Sequence, residues 1–139
     1  MKKIILAAVW VTTASLSYGQ CDKKVVLTAS QTQHLASDSS IQNSKDELTV
    51  IEFDRSNITV TPGDNTMTGT VKSYTCDWST PYKVGRTTLK VMLTNQDGES
   101  KSLTLTIDGK DGKIILLAKI DDEPEHRIRL YADKFEEKH

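Results

Sequence analysis

Residues 86–121 read RTTLKVMLTNQDGESKSLTLTIDGKDGKIILLAKID. Leu89, Val91 and Leu93 alternate with Lys90, Met92 and Thr94, and Leu103, Leu105 and Ile107 alternate with Ser102, Thr104 and Thr106. A two-residue apolar period sends one face of an extended chain into a core and leaves the other in water. Asn95-Gln96-Asp97-Gly98 and Asp108-Gly109-Lys110-Asp111-Gly112 carry hairpin chemistry. Ile114 to Ala118 is apolar on both faces, which predicts the most buried strand of the set. Three strands joined by short loops, with no helical period between them, make an antiparallel meander.

The same grammar extends outward. Turn signals stand at Asp54-Arg55-Ser56, at Thr61-Pro62-Gly63-Asp64 and from Asp121 to Glu125 around Pro124. They delimit about eight strands, near 23–34, 46–53, 57–61, 66–78, 86–94, 99–108, 113–121 and 126–133. In the fourth, Met67 and Val71 occupy odd positions while Tyr74, Cys76 and Trp78 occupy even ones. Both sets face inward only if the strand is irregular, so a bulge or bend is predicted near 69–73. A strand that changes phase suits a barrel corner, and closure removes exposed edges. The expected fold is therefore all-β, a small antiparallel meander in a closed or nearly closed barrel, with a β-sandwich as the alternative. Residues 131–139 read as strand or short helix, and the charged run from Lys134 to His139 is expected to fray.

In strand count and order this pattern resembles the lipocalin-type architecture. The resemblance is at fold level and carries no motif: the Gly-x-Trp element of a lipocalin first strand is absent, since Trp78 lies mid-chain. It implies a barrel able to hold one small ligand.

The chain has 139 residues and a formal charge of −1. Met1-Lys2-Lys3, the mostly apolar run from Ile4 to Leu16 and then Ser17-Tyr18-Gly19 have the order of a secretory signal peptide. Ser17 and Gly19 suit the −3 and −1 positions, which places the cut after Gly19. The run is too short for a membrane span. A lipid on Cys21 is disfavoured because Gln20 precedes it where processing wants a small residue. The domain then occupies 20–139, with 16 Lys+Arg against 19 Asp+Glu, and its destination is the periplasm or the cell exterior. No transmembrane segment is expected in it, and its small negative charge argues against nucleic acid as a partner. Cys21 and Cys76 are its two cysteines, and in an oxidising compartment they are expected to pair.

Candidate chemistry is sparse. Histidine occurs at His34, His126 and His139. His34 reads as an exposed strand residue and His126 as a solvated edge. No nucleophile elbow or zinc spacing is present, and Asp121 to Glu125 and Asp108 to Gly112 read as solvated turns rather than calcium loops. No catalytic residues, metal or cofactor are therefore expected, and the protein is read as a non-enzyme. Glu52 shares the phase of Leu48 and Val50, which points it inward, unless Ile51 and Phe53 hold the core and leave it wet.

Aromatic residues concentrate on one segment. Tyr74, Trp78, Tyr82, Lys83 and Arg86 fall within thirteen residues. Aromatics and cations on a loop at a barrel end form a candidate ligand or partner surface, or else Trp78 and Tyr82 plug that end and pack on the disulfide. Two functions follow. A hollow barrel binds a small, mostly apolar ligand. A filled barrel acts through its loops on an extracytoplasmic protein, as an inhibitor or accessory domain. Interior volume decides between them.

Overall fold

The computed structural model describes residues 20–36, 38 and 40–138. The signal sequence expected at 1–19 lies outside the described residues. After a 3-10 turn at Gln20–Asp22, nine antiparallel strands follow: β1 (Val25–Leu35), β2 (Ile41–Phe53), β3 (Asn57–Pro62), β4 (Met67–Thr80), β5 (Val84–Thr94), β6 (Ser100–Lys110), β7 (Lys113–Ile120), β8 (Glu123–Tyr131) and β9 (Lys134–Glu137). Each strand from β1 to β7 pairs with the next, and β1 also pairs with β8. The meander therefore closes into an eight-stranded barrel, and the sandwich alternative falls away. Among the described residues no helix is long and apolar enough to cross a membrane.

The decisive 86–121 stretch supplies β5, β6 and β7 with the expected faces. Leu89, Val91, Leu105, Ile107 and Leu116 are buried inside. The β6–β7 hairpin turns through Asp111 and Gly112 at φ 55° and 78°. Positive φ at both central residues marks the tight turn whose twist matches the flanking strands, and Asp-Gly tolerates it. Ile115 and Leu117 depart from the expectation of a doubly buried strand. They lie half-buried on the outer face, because a single closed sheet has only one dry side.

Strand irregularities re-aim side chains. In β4 the register against β5 shifts between Val71 and Ser73, where a bulge was expected. Lys72 takes up the extra position, so Val71 and Tyr74 both pack against the core. A second shift lies between Ala29 and Gln31 of β1, where Glu47 and Leu48 of β2 stand opposite Ser30 alone. Its consequence was not legible: β1 buries Val25, Leu27 and Ala29 before the shift and Thr32 after it.

Three boundaries depart most from expectation. β2 starts at Ile41, five residues early, because its exposed first half pairs with β1 beyond the stretch that pairs with β3. Up to Lys138 the tail does not fray. Lys134–Glu137 forms β9, which continues β8 along β1: Thr32 faces Leu130 and Thr28 faces Lys134 in one register. Phe135 holds it there by packing into the barrel, and the Lys138 ammonium reaches Glu52 at 2.6 Å. The acidic turn also shortens, with β8 beginning at Glu123 and the β7–β8 register shifting beyond Lys119. Pro124 belongs at such an irregular strand start.

Candidate functional site

The barrel has two unlike ends. At one end meet the β2–β3 and β4–β5 turns, the starts of β1 and β7, and β9. This end is filled. Trp78 and Phe135 lie 5.4 Å apart between ring centroids, and Tyr82 meets Phe135 edge-on at 5.2 Å. Tilted and edge-on ring contacts such as these add to the area they bury. The indole N–H of Trp78 donates to Thr87 Oγ1 at 2.7 Å, so its one polar atom is satisfied. Two glycines make room for the ring. Gly85 pairs with Trp78 on one side and Gly109 on the other. A Cβ on Gly109 would stand 2.6 Å from Trp78 Cζ3, and one on Gly85 would stand 2.8 Å from Cδ2. The Cys21–Cys76 disulfide, Cα–Cα 5.9 Å, ties the chain start to β4 beside this plug.

Tyr74 sits one step out, against Phe53 at 6.3 Å with the Arg55 guanidinium over its ring at 4.9 Å. Burial raises the phenol pKa of Tyr74 above its ordinary value of 10.0, with Arg55 opposing. Burial raises Tyr82 too, with help from Glu137. A phenol pKa raised by folding means that the neutral ring stabilises the fold. This stability is fully present below the unfolded value and is lost as pH rises through the folded one. The protein is therefore expected to weaken above about pH 10. Phenolate absorbance should show two tyrosines titrating late, and Tyr82→Phe should remove one of them. Titration of all tyrosines together at the ordinary pKa would contradict the packing.

The opposite end is hollow. A cavity of about 300 Å³ opens there, at the lower limit of the ~300–1,000 Å³ usual for ligand pockets. Its wall is mainly aliphatic, from Ile51, Leu93, Leu105, Leu116, Ala118 and Ile128. Its polar lining comes from β1 and β2: Thr32, His34, Glu47 and Thr49. The Thr32 and Thr49 hydroxyls lie 3.4 Å apart and are buried. Glu47 stands higher, its side chain 18% exposed, with the Lys45 ammonium 3.6 Å from Oε2. Asn95 Oδ1 accepts from the backbone N–H groups of Asp97 and Glu99 at 2.9 and 3.0 Å, and this fixes the β5–β6 loop beside the mouth.

No family model, no curated protein and no solved structure matches this chain. The use of the site is therefore read from its geometry, since a barrel by itself does not specify a function.

The five residues singled out in the sequence do not line this cavity. Trp78 and Tyr82 point into the filled end, Tyr74 packs beside them, and Lys83 and Arg86 are exposed. Arg86 is paired with Asp108 on the neighbouring strand. Glu52 is on the wet face with Lys138, because Ile51 and Phe53 take the interior. The carboxylate that lines the cavity is Glu47 instead. The phase of Ile51 and Phe53, carried back through Thr49, was the signal that could have found it. His34 is half-buried at the cavity rather than exposed. Only the β1 register shift turns it inward, and Gln31-Thr32-Gln33 announces no such shift. Among the described residues no three His, Cys, Asp or Glu side chains converge as metal ligands would.

Proposed function

We propose that the protein is a non-enzymatic binding module that carries one small, mostly apolar ligand in the open half of its barrel. The carrying observation is the contrast between the ends: three aromatic rings fill one, while aliphatic side chains at the other surround about 300 Å³ of unfilled space. A barrel serving only as a scaffold gains by filling its interior, since unfilled apolar space forfeits dispersion contacts and costs stability. At interior packing density the space takes on the order of ten carbon atoms. A lipocalin-like role fits this division of labour, with the aromatic plug as the floor of the cup. Tyr74, Trp78 and Tyr82 then act by closing the barrel, and the neighbouring exposed Lys83, with the Arg86–Asp108 pair beside it, offers a surface to a partner. The Cys21–Cys76 disulfide supports an oxidising compartment, periplasmic or extracellular.

The test is binding of N-phenyl-1-naphthylamine, a neutral apolar dye that brightens on leaving water. Its naphthalene, of about ten carbons, matches the space, and its phenyl ring reaches out through the open mouth. Wild-type protein is expected to bind it at one site. Ala118 is small, buried and part of the cavity wall, so Ala118→Phe should fill the space and weaken the dye by about tenfold or more. A dye that ignores the wild-type protein, or binds the filled variant equally well, overturns the reading.

A further inference from the structure

Charge is divided between the two ends of the barrel. Among the described residues, the mouth is built by 36, 38, 40–47, 61–67, 95–101 and 119–127. Together they carry ten carboxylates against four Lys and Arg, a formal charge of −6, while the rest of 20–139 carries nine against twelve, or +3. The whole-chain charge of −1 hides this separation. Carboxylates around an apolar opening act together, because field lines concentrate in a cleft with low-dielectric walls.

One of these carboxylates belongs to the cavity itself. Glu47 is the most enclosed acid among the ion pairs of the mouth, with its side chain 18% exposed, and it lines the cavity together with Thr49 and Ile51. Its Oε1 lies over Gly63, where a Cβ would come within 2.8 Å. Its cation, Lys45, two residues away on β2, is 65% exposed, 3.6 Å from Oε2 and outside the cavity lining. No Lys or Arg lines the cavity.

Resting on the carrier reading above, we infer that the ligand class is a cationic amphiphile: an aliphatic body of about ten carbons with an amine or quaternary ammonium head that sits at the mouth beside Glu47. Fatty-acid anions are selected against. Their tails fit the same wall, but their carboxylates would enter a negative field and meet Glu47 with no Lys or Arg in the lining to receive them, His34 being the one basic side chain there.

The experiment displaces N-phenyl-1-naphthylamine with decyltrimethylammonium, decanol and decanoate at low salt, each below its micelle concentration. The ammonium is expected to displace the dye at about one-tenth of the decanoate concentration, with decanol between them. Salt should narrow the gap. Glu47→Gln should shrink the ammonium-to-decanoate ratio by about threefold to fivefold. Glu136→Gln, an exposed acid at the closed end, should leave it unchanged. Decanoate binding as tightly as the ammonium overturns the cationic preference and leaves the carrier standing. Equal shrinkage from both substitutions overturns the place given to Glu47. A dye that does not bind at all overturns both readings.

Discussion

Trp78→Ala is expected to lower the unfolding free energy by about 3–5 kcal/mol, the range for removing a large aromatic ring from a packed site. The expectation rests on what surrounds the ring. Phe135 lies against it, Gly85 and Gly109 leave the space it occupies, and Thr87 accepts its N–H. Removing the indole opens the closed end and leaves Phe135 with Tyr82 alone, which should also loosen β9 from β1. Trp78→Phe should cost less, since it restores most of the ring but not the hydrogen bond, which is worth about 1 kcal/mol. Urea unfolding measures both. A Trp78→Ala protein as stable as wild type would show that the ring is not a plug, and would return Trp78 to the role of a surface contact.

Replacing Cys21 and Cys76 with serine is expected to cost a similar amount. The bridge spans 55 residues of sequence, and closing a loop of that length stabilises by about 4 kcal/mol in the chain-entropy model. Its position adds a structural reason. β3 pairs with β4 only from Met67 to Thr70, and the Val71 N–H reaches Ser56. Beyond that, β4 has a ladder only to β5 among the described residues. The disulfide ties the Gln20–Asp22 turn to this stretch of β4. Unfolding with and without reductant should therefore give well-separated midpoints. Coincident midpoints would mean that the barrel holds this stretch unaided.

The fold was legible where periodicity was strong. The alternations of 89–93 and 103–107 and the phase conflict between Val71 and Tyr74 led to the meander, its inward faces and the β4 bulge. The site was less legible, for a definite reason. The aromatic cluster drew attention to the end it closes, because large side chains are conspicuous in a sequence and empty space is not. A cavity is the residue of side chains that stop short, such as Ala118 beside Leu116, and no local pattern marks it. His34 was misjudged because a one-residue register shift reverses the face of everything after it. Phe135 was missed because the charged run around it hides a single apolar residue whose value comes from Trp78, distant in sequence.

The central claim is that one end of this barrel is a filled floor and the other an unfilled apolar site. Methyl-labelled NMR tests it most directly, with decanol and decyltrimethylammonium as probes. The methyls of Ile51, Leu105, Ala118 and Ile128 are expected to shift, while those of Val25, Ile107 and the closed end stay in place. Shifts confined to the surroundings of Trp78 and Tyr82, or no shifts with either probe, would contradict it.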